Sequence, residues 1–404
     1  MKDIDKKTKA YALKNALAYD GKAQQGAVIS SLFHEGLKKE KLKDHIKEIS
    51  KIISDVNKLS LQEQTKEYEE LKELVSERPS REGLEELPNV KRSGVVMRFA
   101  PSASGPLHIG HALTAALSYL YVKKYGGKFY IRIEDTNPEN IYPLAYKMIK
   151  EEADWLFEKS AKIIIQSERM EIYYKYAETL LKKNAVYVCT CKSEDFKKLV
   201  DSQKACPCRN NSAKENLSRW QKMLDKSSKG YKDGDAVLRF KSDLNDKNPA
   251  MRDFPLARIN TENHVLQKKK YKVWPLMNLA VAVDDIEEGM THIIRGKDHR
   301  DNALRQKKIY DALGKSKSYP WIGFLGRIHF KDMELSTSKM RQEIEQGKYS
   351  GWDDKGLFTI ASLKKQGYKP EAFHKLAEHI GLSEVDKTFD KKEFFRLLDT
   401  FSKD

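Results

Sequence analysis

The chain has 404 residues, 40% of them hydrophobic and 33% charged, which allows two or three globular domains and excludes a disordered or fibrous protein. The net charge of +16 favours a polyanion such as nucleic acid as a partner, although a generally lysine-rich surface is the alternative explanation. No apolar stretch approaches 20 residues and the N-terminus lacks the apolar run of a signal peptide, so we expect a cytoplasmic protein with no membrane segment.

The first part of the chain predicts a helical module. It is poor in Gly and Pro, and apolar residues such as Ile46, Ile49 and Ile53 recur at helical spacing. Prolines and charges interrupt this pattern in SERPSREGLEELPNVKRSG, so we predict a linker before Gly94. The helical N-terminal extension is therefore expected over residues 1–92.

Residues 93–184 predict the first half of a nucleotide-binding domain. The β-branched run GVVMRFA is followed by a Ser/Gly/Pro loop, a helical pattern in HALTAALSYLYVKKYGG and the alternating strand KFYIRIED. A strand, loop, helix and strand in this order open a right-handed βαβ unit. We therefore predict an α/β fold with a Rossmann-like, doubly wound parallel sheet.

The composition changes over residues 185–270, which contain all four cysteines and two weak strand patterns, AVLRFK and NHVLQKKKYKV. We interpret this segment as an insertion in the sheet domain. The α/β pattern returns from WPLMNLAVAVDDIEEGMTHIIRGKDH, which predicts the second half of the domain over residues 271–330. Residues 331–404 are expected to form a loop and then helices, one of them in PEAFHKLAEHIGL.

Two histidines, His108 and His111, flank Gly110 where the predicted loop enters the helix. A metal-binding pair on a helix usually stands four residues apart and needs a third ligand nearby. At the start of a helix, backbone N–H groups and the helix dipole favour an anion instead, and a glycine lets the ligand approach the backbone. The pattern favours phosphate binding, while a metal pair and a pair of satisfied, partly buried histidines remain open.

The segment RFAPSASGPLHIGHA resembles the HIGH motif of class I aminoacyl-tRNA synthetases in its glutamate and glutamine form. Four later segments are similar, in the same order, to blocks of glutamyl-tRNA synthetases of the archaeal type: IRIEDTNPENIYPLAYKMI, VAVDDIEEGMTHIIRGKDH, LSTSKMRQEI and YSGWDDKGLFTI. The match runs from about residue 94 to 385, and the helical module resembles the archaeal N-terminal extension. The resemblance implies a ligase of protein biosynthesis that activates glutamate with ATP and transfers it from glutamyl-adenylate to the 3′ end of tRNA(Glu).

The resemblance implies an ATP site between the HIGH motif and a KMSKS-type loop in LSTSK. His108, His111 and Lys339 would be catalytic, because hydrogen-bond donors and a cation stabilise charge that develops on the phosphates. Mg²⁺ is expected to accompany ATP. Glu334 and Thr337 stand where many relatives have lysines. The implied ATP contacts are Pro101, Ser102, Gly105, His108, Ile109, Gly110, His111, Ser336 and Lys339.

The resemblance also implies a glutamate pocket. Arg98 matches the residue that binds the substrate side chain, and Glu134 matches the carboxylate that receives the α-ammonium group. Ser102 and Arg295 would complete the pocket; for each residue an ordinary ion pair at a strand end is the alternative. Met277 stands where relatives usually have tyrosine, which either removes a polar contact to the substrate or reflects a repacked pocket.

The four cysteines, Cys189, Cys191, Cys206 and Cys208, form two C-x-C pairs. Paired cysteines in a cytoplasmic protein predict a closed, structural Zn²⁺ site, with free thiols or redox chemistry as alternatives. In relatives of this branch such a knuckle lies in the insertion that approaches the acceptor end of tRNA. We expect it to stiffen a segment that has little core.

The C-terminal part departs from the family in two ways. Lys355 and Gly356 replace the Pro and Arg of a W-D-D-P-R-L block that relatives place against the acceptor stem. Archaeal-type relatives also continue into anticodon-binding β-barrels, for which the sequence leaves no room after Asp404. We therefore expect a catalytic fragment, a split gene product or a natural paralog.

The partners implied are glutamate, tRNA(Glu) and also tRNA(Gln), with a protein partner at the helical module or in a separate anticodon-binding half. Two other functions stay open. One is a shortened paralog that glutamylates a modified tRNA base or another acceptor. The other is a non-catalytic tRNA-binding protein.

Overall fold

The computed structural model describes residues 3–19, 21–76, 83–331 and 334–402. They belong to two compact units, Met1–Arg81 and Glu82–Asp404, and this division lies N-terminal to the predicted boundary at residue 92. Within the described ranges, no helix is both long and apolar enough to cross a membrane.

The N-terminal unit is helical, as the spacing of its apolar residues predicts. Its helices are α1 (Ile4–Ala18), α2 (Gln25–His34), α3 (Leu42–Val56) and α4 (Leu61–Leu71). They enclose a core of their own that includes Leu13, Val28 and Ile53. Ser60 begins α4 with a capping box, because its hydroxyl accepts from Glu63 N and the Glu63 carboxylate accepts from Ser60 N.

The C-terminal unit opens with the predicted alternation of strands and helices. The elements are β1 (Val95–Phe99), α5 (Ile109–Tyr125), β2 (Gly127–Ile133), α6 (Ala145–Leu156), β3 (Lys162–Ile165) and α7 (Met170–Lys182). The three strands are parallel in the order β1-β2-β3, with Val95 opposite Gly127 and Tyr130 opposite Lys162. Gly127 is required here, since a Cβ atom would overlap the carbonyl of Val95.

The next segment forms a separate antiparallel sheet. Its elements are β4 (Val186–Cys189), α8 (Ser193–Asp201), α9 (Ala213–Leu224), β5 (Val237–Phe240), β6 (Pro255–Ile259) and β7 (Val273–Pro275). The strand predicted in AVLRFK is confirmed as β5. The strand predicted over NHVLQKKKYKV is wrong except at Val273: the ring of His264 accepts from the backbone N–H groups of Leu266 and Gln267, and this closes a turn.

The parallel sheet then resumes. Its second half contains α10 (Met277–Glu287), β8 (His292–Gly296), α11 (Arg300–Ala312) and β9 (Trp321–Leu325). Strands β8 and β9 are parallel, and a backbone hydrogen bond of 3.0 Å from Thr291 N to Val96 O holds β8 beside β1. Strands β2 and β3 thus lie on one side of β1 and β8 and β9 on the other, and ligands of doubly wound sheets bind at the carboxyl ends of the strands at such a switch point. The predicted fold class is confirmed.

The last segment packs against α5. It contains β10 (Ile328–Phe330), α12 (Thr337–Glu345), α13 (Ile360–Lys365), α14 (Pro370–Ile380), β11 (Lys387–Phe389) and α15 (Lys391–Thr400). The helix predicted in PEAFHKLAEHIGL is confirmed as α14. The parallel pair of β10 and β11 is not anticipated by the sequence. The rings of Phe330, Phe358 and Phe394 contact one another, and all three belong to the hydrophobic core that also contains residues of β1 and β2.

Candidate active site

The HIGH motif lies where β1 gives way to α5. His108 is the N-cap residue of α5, and its Nδ1 atom accepts from His111 N at 3.4 Å. The two imidazoles stack with their centroids 3.6 Å apart. Burial is the main cause that lowers the pKa of His108 well below its ordinary value, and the neighbouring His111 contributes to the shift. Burial also lowers the pKa of His111, to about 4. Both rings are therefore neutral at pH 7.

A cavity of about 650 Å³ opens over these histidines. Its lining residues include His108, Gly110, His111, Glu334 and Leu335, but not the predicted ATP contacts Ser336 and Lys339. The buried Nδ1 atom of His111 has no hydrogen-bond partner among the described residues. A buried polar atom without a partner is costly, so this nitrogen is available to a ligand.

The loop that contains LSTSK packs directly on the HIGH loop. Ser336 caps α12 by accepting from Lys339 N at 3.4 Å. A Cβ atom on Gly105 would overlap the methyl group of Thr337 and come within 3.1 Å of the Trp352 ring. The two phosphate-binding loops of the prediction are therefore neighbours in the folded chain.

The ammonium group of Lys339 already has a counter-ion. Its Nζ atom lies 3.0 Å from the Glu334 carboxylate, which raises the pKa of Lys339. Both side chains are more than half exposed, so this surface pair has little cost of separation. A phosphate that enters the cavity would compete with Glu334 for Lys339.

The five residues predicted to bind glutamate surround a second cavity, of about 280 Å³. Arg98, Ser102, Glu134, Met277 and Arg295 all line it, together with Pro101. The two cavities share four lining residues: His111, Thr114, Gly296 and Asp298. An amino acid in the smaller cavity and a nucleotide in the larger one would thus meet beside His111.

A buried ion network under the smaller cavity is absent from the sequence prediction. Asp285 on α10 accepts from Arg132 Nη1 at 2.6 Å and from Arg98 Nε at 3.3 Å, and Arg132 Nη2 lies 3.4 Å from Glu134. Burial alone would raise the pKa of Asp285, but the two guanidinium groups hold it below its ordinary value. The sequence feature that indicates this network is the pair of acidic residues, Asp284 and Asp285, within the apolar pattern of VAVDDIEE.

Arg295 differs from the other two arginines. Its Nη1 atom donates to Gln306 Oε1 at 2.9 Å, and its buried Nε atom has no partner among the described residues. Burial and the nearby charge of Arg98 lower the pKa of Arg295 to about 10. Burial raises the pKa of Glu134, opposed by the charges of Arg132, Arg98 and Arg295.

The four cysteines converge in the antiparallel sheet segment. All four sulfur atoms lie within 4.8 Å of one another, with Cys189 and Cys206 3.8 Å apart and Cys191 and Cys208 3.9 Å apart. Ligands about 2.3 Å from a tetrahedral Zn²⁺ ion lie roughly 3.8 Å from each other. The cluster therefore fits a Zn²⁺ ion in both donor type and spacing.

The YSGWDDKGLFTI block bends around the HIGH loop. The backbone N–H group of Ile109 donates to Phe358 O at 2.9 Å, and the Trp352 ring covers Gly105. Lys355 is exposed. A Cβ atom on Gly356 would come within 2.9 Å of the Tyr349 ring, so the longer side chain of the relatives would not fit here without a shift.

Comparison with known proteins agrees with this geometry. Residues 94–400 match the family model described as "tRNA synthetases class I (E and Q), catalytic domain". Glutamate–tRNA ligases of Methanobrevibacter smithii and Methanocaldococcus jannaschii are 43% and 42% identical, covering 98% of this chain and 71% and 70% of theirs. A crystal structure of a glutamate tRNA ligase from Elizabethkingia meningosepticum, in complex with its amino acid, shares the fold (TM-score 0.51, 22% identity, 75% of this chain and 68% of that one). The chain therefore belongs to the glutamate–tRNA ligase family of class I tRNA synthetases.

Proposed function

We propose that the two adjoining cavities carry out the family's reaction in two steps. In the first, the α-carboxylate of glutamate attacks the α-phosphorus of ATP, and pyrophosphate leaves. In the second, a ribose hydroxyl at the 3′ end of tRNA(Glu) attacks the glutamyl carbonyl of the adenylate, and AMP leaves. The observation that carries this proposal is the meeting of the predicted ATP and glutamate residues at His111. Such chemistry needs no side-chain nucleophile, because positioning and charge stabilisation suffice.

The residues of the larger cavity and the neighbouring Lys339 would act on the phosphates. Neutral imidazoles at positions 108 and 111 donate hydrogen bonds to phosphate oxygens, and the positive end of the α5 dipole adds to their effect. Lys339 exchanges Glu334 for the phosphates and supplies a full positive charge. Mg²⁺ bound with ATP would neutralise further charge on the phosphates.

The residues of the smaller cavity would hold glutamate. Arg98 and Arg295 bind its side-chain carboxylate, and Glu134 receives its ammonium group, with Ser102 beside them. Met277 contributes an apolar wall where relatives carry a phenol. The amino acid is thus fixed by charge at both ends, with its α-carboxylate toward His111.

The cysteine cluster would bind one structural Zn²⁺ ion in the insertion, which we propose contacts the acceptor end of tRNA. Support comes from the spacing of the four sulfur atoms and from the +16 charge of the chain. Purified protein should contain about one zinc per chain, and Cys206→Ser should lose it while Ser202→Ala, an exposed position on the same segment, should not. Retention of zinc by the cysteine variant would contradict the assignment.

Charging of tRNA(Gln), a protein partner and a cytoplasmic location remain predictions.

The test is ATP–pyrophosphate exchange and aminoacylation with purified tRNA(Glu) and tRNA(Gln). Glutamate should support both reactions, and His108→Ala should slow them by roughly a hundredfold or more. The control is His379→Ala, an exposed histidine on α14. Failure with both tRNAs and with both glutamate and glutamine would contradict the proposal, as would full activity of the His108 variant.

A non-catalytic tRNA-binding protein is the second candidate. The observation that favours it is the pairing of Lys339, the expected phosphate ligand, with Glu334. Titration of ATP separates the two candidates, because the catalytic proposal requires saturable ATP binding that Lys339→Ala weakens. The absence of any ATP binding would support the second candidate.

A further inference from the structure

We infer that Gln306 sets the preference of this pocket for glutamate over glutamine, by holding Arg295 in place with a neutral acceptor, so that no carboxylate among the described residues forms an ion pair with it. The inference deepens the proposed function and rests on it. It concerns a residue of α11 that lines neither cavity and that acts only through Arg295.

The contact is short and enclosed. Arg295 Nη1 donates to Gln306 Oε1 at 2.9 Å, and the two residues are 7% and 2% exposed. Because the guanidinium group is planar, a fixed bond at one nitrogen limits how its remaining N–H groups can turn. Gln306 therefore determines which edge of Arg295 faces the cavity.

The orientation of the Gln306 amide is fixed in turn by Asn278. Gln306 Nε2 donates to Asn278 Oδ1 at 3.3 Å, and Asn278 is 8% exposed at the start of α10, next to Met277. With its amino group bonded to Asn278, the amide presents its oxygen to Arg295. Two uncharged amides thus connect α10 to the guanidinium group.

The three arginines around the glutamate cavity divide into two kinds. Arg98 and Arg132 both contact the carboxylate of Asp285, which compensates part of their charge before any substrate arrives. Arg295 forms no ion pair within the part of the chain that the structure describes, and its only side-chain acceptor there is neutral. The cation that gains most from an added carboxylate is therefore Arg295.

This difference has a consequence for specificity. A carboxylate can accept two N–H bonds from one guanidinium group and adds the attraction of opposite charges, whereas a carboxamide offers one neutral oxygen. A guanidinium group that forms no ion pair therefore favours a side-chain carboxylate over a carboxamide. A carboxylate at position 306 would compensate Arg295 from behind and remove that advantage. The geometry would stay nearly the same, because glutamate and glutamine side chains have the same shape.

The experiment measures kcat/KM for glutamate and for glutamine in ATP–pyrophosphate exchange with tRNA(Glu) present. We compare the unmodified chain with Gln306→Glu and with Gln221→Glu, which adds the same charge at an exposed position on α9. In Gln306→Glu the ratio of the two kcat/KM values should fall roughly tenfold or more, mainly through a higher KM for glutamate. In Gln221→Glu it should not change. An unchanged ratio in a folded Gln306→Glu protein would overturn the inference.

A second variant covers the case in which Gln306→Glu does not fold. Gln306→Met keeps the volume and removes the acceptor, so Arg295 keeps its charge but loses its fixed orientation. Its KM for glutamate should rise at least several-fold, and a KM equal to that of the unmodified chain would overturn the positioning role. If the unmodified chain activates neither amino acid, the proposed function itself fails. If it activates glutamate and the Gln306 variants have the same kcat/KM ratio and the same KM for glutamate, only this inference fails.

Discussion

Replacing Asp285 by asparagine should strongly destabilise the C-terminal unit. The carboxylate contacts Arg132 at 2.6 Å and Arg98 at 3.3 Å, and all three side chains are at most 4% exposed. Asparagine keeps the shape but removes the charge, which leaves two buried guanidinium groups with less compensation. Glu134 still lies 3.4 Å from Arg132, so the network is weakened and not abolished.

The size of the effect follows from the cost of leaving a buried charge without its partner, about 3 to 5 kcal/mol. The contacts that Arg132 retains place the expected loss near the lower end, about 3 kcal/mol in the free energy of unfolding. Burial raises the pKa of Asp285, but the two arginines lower it by more, so its contribution to stability is present above the ordinary carboxyl value of 3.8 and is lost as the pH falls. The destabilisation caused by Asp285→Asn should therefore have its full size at pH 7.

Urea-induced unfolding followed by tryptophan fluorescence measures this loss. All five tryptophans lie in the C-terminal unit, so the signal reports that unit alone. The control is Asp311→Asn on α11, an exposed carboxylate 3.2 Å from Lys307, for which the expected loss is below about 1 kcal/mol. Equal losses in the two variants would refute the role of the buried network.

Three further outcomes are expected. Lys339→Ala should lower kcat roughly a hundredfold without changing stability, whereas Lys348→Ala, an exposed lysine on the same segment, should not affect kcat; equal rates would contradict the phosphate role. Gly105→Ala should destabilise the unit by about 1 to 3 kcal/mol in urea, because the methyl group overlaps Thr337. Since burial lowers the pKa of His111 from 6.5 to about 4, the folded state gains stability as the pH rises from 4 to 6.5, and His111→Asn should flatten that rise in pH-dependent unfolding.

Local patterns in the sequence predict the elements around the site well. Helix α5 and strand β2 follow from short-range periodicity, with Gly126 and Gly127 marking the turn between them. The convergence of the cysteines also follows from their spacing, because two C-x-C pairs in one short insertion have few other arrangements. These features depend on residues that are close together in the chain.

Features that join distant parts of the chain were not predictable in the same way. The contact of Arg98 with Asp285 spans 187 residues, and no local pattern indicates which arginine a buried aspartate will meet. The three-residue strand β10 pairs with β11 far along the chain, and each is too short to show alternation. The strand wrongly predicted over NHVLQKKKYKV failed because His264 hydrogen-bonds locally to the backbone and favours a turn.

Aminoacylation of purified tRNA(Glu) with radiolabelled glutamate by this chain tests the proposed reaction itself. We expect ATP-dependent formation of an ester-linked, base-labile glutamyl-tRNA that His108→Ala reduces roughly a hundredfold or more. Glutamate that becomes attached to tRNA through a base-stable bond, or no attachment at all alongside normal tRNA binding, would contradict it.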